Sequence, residues 1–410
     1  MNATWNITAN RIENLIQSLK TERKKPFCAY IYDLKQLREH VSLLTATLPS
    51  QCRLFYAVKA NSDATILKAL APIVHGFEVA SLGEIEKVRT VDTRIPVIFG
   101  GPAKTDDEIQ GAIHHGVSLL HAESFHELRR IEYIAGQLDV VVPILLRVNL
   151  GGPLSTATLQ MAGVPTQFGI EEAQVPEAIA LARSLQHVDL QGFHFHAMSN
   201  NLDAEGHARF ITHCVDKAQT WAGEFDLRIS YLNVGGGIGV NYHDLERQFD
   251  WPVFTSQLDQ LIKDHGQPNA TMLFECGRYV TAACGHYAAE VLDIKQNHGK
   301  HFAVVRGGTH HFRLPAAWKH SHPFTVVPID EWRYPFARPE LSDSAVTVAG
   351  ELCTPNDVLA RDVVVPRIRS GDIILFRYTG AYGWAISHHD FLSHPHPEQI
   401  FLDRDDLAID

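Results

Sequence analysis

Cysteine and methionine are scarce in this chain. There are six and four of them in 410 residues, and the cysteines (28, 52, 214, 276, 284 and 353) form no Cys-x-x-Cys pair and no regular spacing. That argues against a disulfide framework, and reduced thiols in a cytoplasmic protein are expected. No apolar run approaches the length of a membrane span, and Met1-Asn2-Ala3-Thr4-Trp5 begins no secretory leader. Positive charge is short as well: 36 Lys and Arg face 47 Asp and Glu, and the net charge of −11 speaks against nucleic acid and anionic membranes as partners. Internal repeats and low-complexity tracts are absent. What remains is a globular composition, 45% hydrophobic and 20% charged, over a length that suits two domains. Histidine is abundant, with 24 residues including the pairs at 114, 310 and 388, so metal binding has to be weighed.

Along the chain, residues 6–24 have apolar side chains at helical spacing (Ile7, Ile12, Leu15, Ile16, Leu19). A short strand at 29–32 ends on Asp33, a helix N-cap. Then strand and helix patterns alternate: strands are expected at 53–59, 73–79, 96–99, 117–120, 141–148, 189–196, 229–234 and 271–275. The helices between them include one opening on the capping box Ser81-Leu82-Gly83-Glu84. About eight βα units in roughly 240 residues are the count and length of a TIM barrel. After about residue 285 the runs at 288–294, 302–306, 345–349, 363–365 and 372–376 are strand-like and separated by Gly, Pro and Asp turns, which is the pattern of an all-β domain. Segments 315–340 and 388–399 are expected to be loops. The division is a segment 1–29 joining the β-domain, a barrel 30–285 and a β-domain 286–410.

Barrel enzymes carry their reactive groups at the C-terminal strand ends. Lys59 stands at such an end in Phe55-Tyr56-Ala57-Val58-Lys59-Ala60-Asn61; on a continued strand it would share a face with Phe55 and Ala57, where desolvation favours the neutral, nucleophilic amine. A lone lysine of this kind more often snorkels to solvent. It is not alone here. His194 and His196 end a later strand, Gly235-Gly236-Gly237 the next, in a turn whose backbone N–H groups could close on an anion, and Glu275-Cys276-Gly277-Arg278 the one after.

In their order, these motifs resemble the fold-type III pyridoxal-phosphate decarboxylases, the group of the diaminopimelate and ornithine decarboxylases. The resemblance is carried by Tyr56-Ala57-Val58-Lys59-Ala60-Asn61, residues 76–84, Gln167-Phe168-Gly169, His194 to Ser199, Gly235-Gly236-Gly237, Glu275-Cys276-Gly277-Arg278, Gly350-Glu351-Leu352-Cys353 and Gly380-Ala381-Tyr382-Gly383, spread over nearly the whole chain. It implies a cofactor, pyridoxal 5'-phosphate, bound to Lys59 as a Schiff base, with His196 stacked on its ring and Glu275 against its ring nitrogen. Ser199, Gly235, Gly236, Gly237, Arg278 and Tyr382 would hold the phosphate. Cys353 would reprotonate the product carbon in the site of a neighbouring subunit, so a homodimer is implied.

The departures concern the substrate. Relatives that act on diamines or diaminopimelate carry an acidic residue just after that cysteine; here Thr354-Pro355-Asn356 follows, so the far end of the substrate is expected not to be a cation. Arg306 to Pro315 instead offers Arg313, His310 and His311, donors that suit carboxylates. This resembles a subgroup of siderophore assembly that decarboxylates an amino acid joined to citrate. Decarboxylation of free diaminopimelate, lysine or ornithine is the alternative. A metal-dependent barrel hydrolase built on His194-x-His196 is a rival from another class, but its histidine pair belongs on the first strand. A racemase would prefer arginine at Glu275, and non-catalytic relatives tend to lose Lys59, Cys353 or the β-domain.

Overall fold

The computed structural model describes residues 2–23, 25–151, 159–160, 165–265 and 270–403, which divide into a unit of residues 1–36 with 281–410 and a unit of residues 37–280. The strands of three or more residues, in chain order, are β1 (Cys28–Asp33), β2 (Cys52–Ala57), β3 (Gly76–Val79), β4 (Val97–Phe99), β5 (Leu119–Ala122), β6 (Val142–Asn149), β7 (Val188–Phe195), β8 (Tyr231–Asn233) and β9 (Thr271–Cys276), then β10 (Gly285–Asn297), β11 (Lys300–Val305), β12 (Phe324–Val327), β13 (Glu340–Ala349), β14 (Val358–Arg369), β15 (Ile373–Arg377) and β16 (Glu398–Leu402).

Strands β2 to β9 form the closed, all-parallel ring in the order β5-β4-β3-β2-β9-β8-β7-β6, with β6 pairing back to β5. The ring closes because apolar side chains alternate inward: Phe55, Ile98, Leu119, Leu145 and Leu273, from five strands, form one buried cluster. The helices between the strands start where caps place them. Ser81 Oγ accepts from Glu84 N–H, while the Glu84 carboxylate accepts from Ala80 N–H rather than from the cap residue. Thr105 and Glu108 complete a full reciprocal box.

In the other unit β10 is the central strand, flanked by β1 and β15 and, at its far end, by β11. The N-terminal helix Asn2–Thr21 packs Ile12, Leu15 and Ile16 against Phe27, Ala29, Ile31, Ala288 and Leu375 of this sheet. Two expectations need correction. Strand β1, placed by the sequence reading largely inside the barrel region, pairs with β10 and β16 in the β-unit; six buried residues in a row suit the middle of any sheet, and only the pairing partner decides which. Segments 315–340 and 388–399 are not wholly loop: 315–340 includes β12, and β16 begins at Glu398. Pro323 and Pro328 bracket β12 and confine it to four residues on the sheet edge, where a missing N–H is tolerated.

Candidate active site

Four neighbouring staves of the barrel, β2, β9, β8 and β7, bring most of the expected barrel residues to one half of its C-terminal end. Lys59 does not end a strand. It lies on a one-turn 3-10 helix, Val58–Ala60, immediately after β2. Its side chain is 40% exposed, and its Nζ donates to both carboxylate oxygens of Glu78, at 3.0 and 2.8 Å. The argument from strand alternation therefore fails, because the chain leaves the pleat two residues too early. What conditions this amine is a carboxylate on the neighbouring strand β3. Burial pushes the Glu78 carboxyl up to about 7 even though Lys59 pulls it down. The motif at residues 76–84 includes Glu78 without marking a role for it; an acidic residue on a buried strand is the signal it offers.

Glu275, near the end of β9, is 5% exposed and nevertheless ionised. Burial alone would raise its pKa, but His194 first, and then Lys59, hold it well below the ordinary carboxylate range. Asn233 Nδ2 donates to Glu275 Oε1 at 2.7 Å; His121 Nδ1 lies 3.7 Å from the same oxygen, and His194 Nε2 3.5 Å from Oε2. The two imidazoles face each other with ring centroids 4.1 Å apart. Burial, then His194, depresses His121 well below the usual imidazole value, so that ring is neutral. Among the described residues His121, His194 and Glu275 form the one group whose ligand atoms could converge on a metal ion, within 4.8 Å of one another. The histidine pair in that group is therefore 121 with 194, not 194 with 196.

His196, one residue past β7, is driven by burial to a pKa of about 3 and is neutral. Its Nδ1 accepts from Gly236 N–H at 3.3 Å, which leaves Nε2 as the protonated nitrogen. The glycine triplet is tighter than an anion cradle alone requires. A Cβ on Gly236 would stand 1.9 Å from Glu275 O, and Gly237, at φ +87°, would meet Met198 O at 2.5 Å. Gly235 N–H donates to Asn233 Oδ1 at 2.9 Å. Two of the three N–H groups expected to face an anion are thus spent on protein partners. The turn abuts Met198–Ser199 and Asn201, whose N–H donates to Gly237 O. Arg278 is buried beside Tyr242, donating to its hydroxyl at 3.2 Å. An amine, an anionic carboxylate, a neutral imidazole, and a close-packed turn with a serine and a guanidinium fit an aromatic aldehyde bearing a phosphate. The Gln167-Phe168-Gly169 motif has a structural part: Phe168 lies under the Arg147 guanidinium, and Gly169 N–H donates to Glu123, the buried partner of Arg147.

A cavity of about 290 Å³ opens at the opposite end of the barrel, lined by Arg53, His75, Ser118 and Thr271 over Phe55 and Leu273. It contains none of these groups.

The remaining expected residues lie in the β-unit. Cys353 is exposed on the turn between β13 and β14, and Thr354 beside it is half-buried. That turn is pinned by Asp357, whose buried carboxylate accepts from Leu352 N–H at 2.8 Å and from Thr309 N–H at 2.6 Å. Arg313 is exposed at the start of the helix Leu314–Trp318. His310 and His311 are fully buried, and burial lowers them to about 4 and about 2, so neither contributes positive charge near neutral pH. His311 is committed inside the fold, with Nδ1 3.2 Å from Tyr287 Oη; among the described residues neither ring nitrogen of His310 has a hydrogen-bond partner. Arg306 pairs with Glu351, so the segment is less basic than its composition suggests. Tyr382 lies in the turn after β15, with φ at +53°.

Residues 34–282 match the family described as pyridoxal-dependent decarboxylase, pyridoxal binding domain. The chain is 47% identical over 391 residues, covering 95% of it and 98% of the relative, to the 2-[(L-alanin-3-ylcarbamoyl)methyl]-2-hydroxybutanedioate decarboxylase of Staphylococcus aureus. It is 30% identical, over 94% of its own length and 90% of the relative's, to the L-glutamyl-[BtrI acyl-carrier protein] decarboxylase of Niallia circulans. The solved diaminopimelate decarboxylase of Helicobacter pylori, complexed with L-lysine, superposes with a TM-score of 0.83 at 26% identity, over 95% of this chain and 94% of that one. No helix among the described residues is long and apolar enough to cross a membrane.

Proposed function

Because the chain belongs to the pyridoxal-dependent decarboxylases and its cofactor is pyridoxal 5'-phosphate, we propose that it removes the α-carboxylate of an amino acid already joined to citrate, as a step of siderophore assembly. The family match sets aside the metal-dependent hydrolase. The observation that carries the substrate reading is Thr354, which follows Cys353 where an acidic residue would grip a distal ammonium. The name of the staphylococcal relative's substrate describes citrate joined through an amide to the side-chain nitrogen of 2,3-diaminopropionate, and the Niallia enzyme likewise takes a conjugated amino acid. Both support a substrate with a large, anionic or neutral far end.

When bound, the cofactor supplies an electron sink for the pair left behind as CO₂ departs. The rest falls to the chain's own residues. Lys59 anchors the cofactor covalently, with Glu78 beside it to take up and return the proton of the amine. Glu275, held ionised, would keep the ring nitrogen of the bound cofactor protonated, and neutral His196 would lie against the ring. Ser199, the glycine turn and Arg278 would hold the phosphate. Cys353 gives its thiol proton to the carbon that lost the carboxylate, so one C–C bond breaks and one C–H bond forms. Arg313 and Thr354 would face the far end of the substrate, whereas the expected His310 is buried inside the fold and unavailable to it. The active unit is a cytoplasmic homodimer in which Cys353 completes the partner's site.

The test is mass spectrometry of products from a panel of free and citrate-conjugated amino acids. A citryl amide should be turned over well. Free lysine, ornithine and diaminopimelate should fall roughly tenfold to over a hundredfold lower in kcat/KM, because a mismatched far end leaves buried polar groups unpaired. Arg313→Ala should raise KM for the citryl substrate more than it lowers kcat, since that contact is made equally in the ground and transition states. Equal turnover of ornithine would remove the siderophore assignment and leave the decarboxylase intact. The dimer has its own test. Lys59→Ala and Cys353→Ala, each inactive, should recover about a quarter of wild-type activity when mixed equally and allowed to exchange, because half the dimers then hold one complete site of two. No recovery, with exchange demonstrated, would put Cys353 in its own subunit's site or outside the reaction.

A further inference from the structure

We propose that Asn233 is a positioning residue that braces the two ends of the cofactor site against each other, an inference that rests on the assignment of Glu275 and the glycine turn to that cofactor. Asn233 is fully buried at the end of β8. Its amide has one acceptor contact and two donor contacts, the longer donor contact running from Nδ2 to His121 Nε2 at 3.3 Å. Oδ1 accepts from Gly235 N–H at 2.9 Å, so Nδ2 has to point away from the turn, and it meets Glu275 Oε1 at 2.7 Å. A flipped amide would lose both bonds and set its oxygen against the carboxylate. The backbone repeats the tie, because Glu275 N–H donates to Gly235 O at 2.8 Å.

The consequences run in two directions. Towards Glu275, an N–H donor on Oε1 favours the ionised carboxylate, the form that can keep a pyridine nitrogen protonated. This matters because the flanking imidazoles lie 3.5–3.7 Å away, beyond ordinary hydrogen-bond length, leaving Asn233 with the shortest contact to the carboxylate. Towards the turn, holding Gly235 at φ +71° sets the path of Gly236 and Gly237, and Gly236 N–H in turn orients His196. A single side chain therefore fixes the carboxylate, the turn and, through the turn, the imidazole.

The test compares Asn233→Leu, which keeps the volume and removes both bonds, with Asn233→Asp, which keeps the acceptor for Gly235 N–H, each in the wild-type and Glu275→Gln backgrounds. Three readouts are taken: melting of the apoprotein, affinity for pyridoxal 5'-phosphate by absorbance titration, and kcat. Asn233→Leu should leave the apoprotein melting as a single cooperative transition, weaken cofactor affinity by about tenfold and lower kcat by about tenfold. The kcat loss should vanish in the Glu275→Gln background, where there is no carboxylate charge left to support. In the Glu275→Gln background, where no second carboxylate opposes it, Asn233→Asp should keep the affinity within about threefold of the Glu275→Gln protein, since the turn contact is retained. Independent, multiplying kcat effects of the two substitutions would overturn the proposal, as would an Asn233→Leu protein that binds cofactor normally. Should Asn233→Leu not fold, the Asn233→Asp arm and its coupling to Glu275→Gln still decide the matter. A borohydride label found away from Lys59 would instead count against the cofactor assignment itself.

Discussion

Lys59→Ala should fold, and decarboxylation should fall by at least about a thousandfold, because the covalent anchor of the cofactor is gone. The fold should survive for a reason visible at the site. Removing Lys59 leaves Glu78 buried without its cation, but burial already pushes that carboxyl up to about 7, and without the ammonium it rises further. Glu78 then keeps a proton at neutral pH and no unpaired charge is stranded. Wild-type protein reconstituted with the cofactor should be yellow, and borohydride followed by peptide mapping should place the label on Lys59. A label elsewhere, or an Lys59→Ala protein with activity within about tenfold of wild type, would contradict the assignment.

Glu275→Gln should cost about a hundredfold in kcat while the cofactor stays bound. The substitution keeps volume and still offers an oxygen to Asn233 Nδ2, so the packing of β8 against β9 is preserved. What disappears is the anion. The sign of the pH dependence follows from the same group: its folded pKa is depressed, so its contribution is present above the ordinary carboxylate range and is lost as pH falls below it. Wild-type kcat should therefore show no limb from this residue between pH 6 and 8 (roughly the working range), and the Gln variant should be low throughout that window. A kcat within about threefold of wild type would mean that ring protonation does not depend on Glu275.

The local part of this protein was legible in its order of residues. Period-two and helical patterns with turn and cap residues are short-range properties, so the eight barrel strands, the β-rich C-terminal third and the motif order from Lys59 to Tyr382 could be read without coordinates. The place of Glu275 near the end of a barrel strand was legible in the same way. Partners were not legible, because they depend on which strands become neighbours once the ring closes. Lys59 meets Glu78 only because β2 lies beside β3, and His194 meets His121, from 73 positions earlier in the chain, only because both staves face the axis. The burial that makes His310 and His311 neutral, and the pairing that draws β1 away from the barrel, are likewise properties of packed surfaces. Asn233 shows the limit most sharply. In sequence it is one residue before a glycine run, and only the closed barrel places a carboxylate 42 residues away within reach of its amide, where hydrogen-bond geometry admits a single orientation.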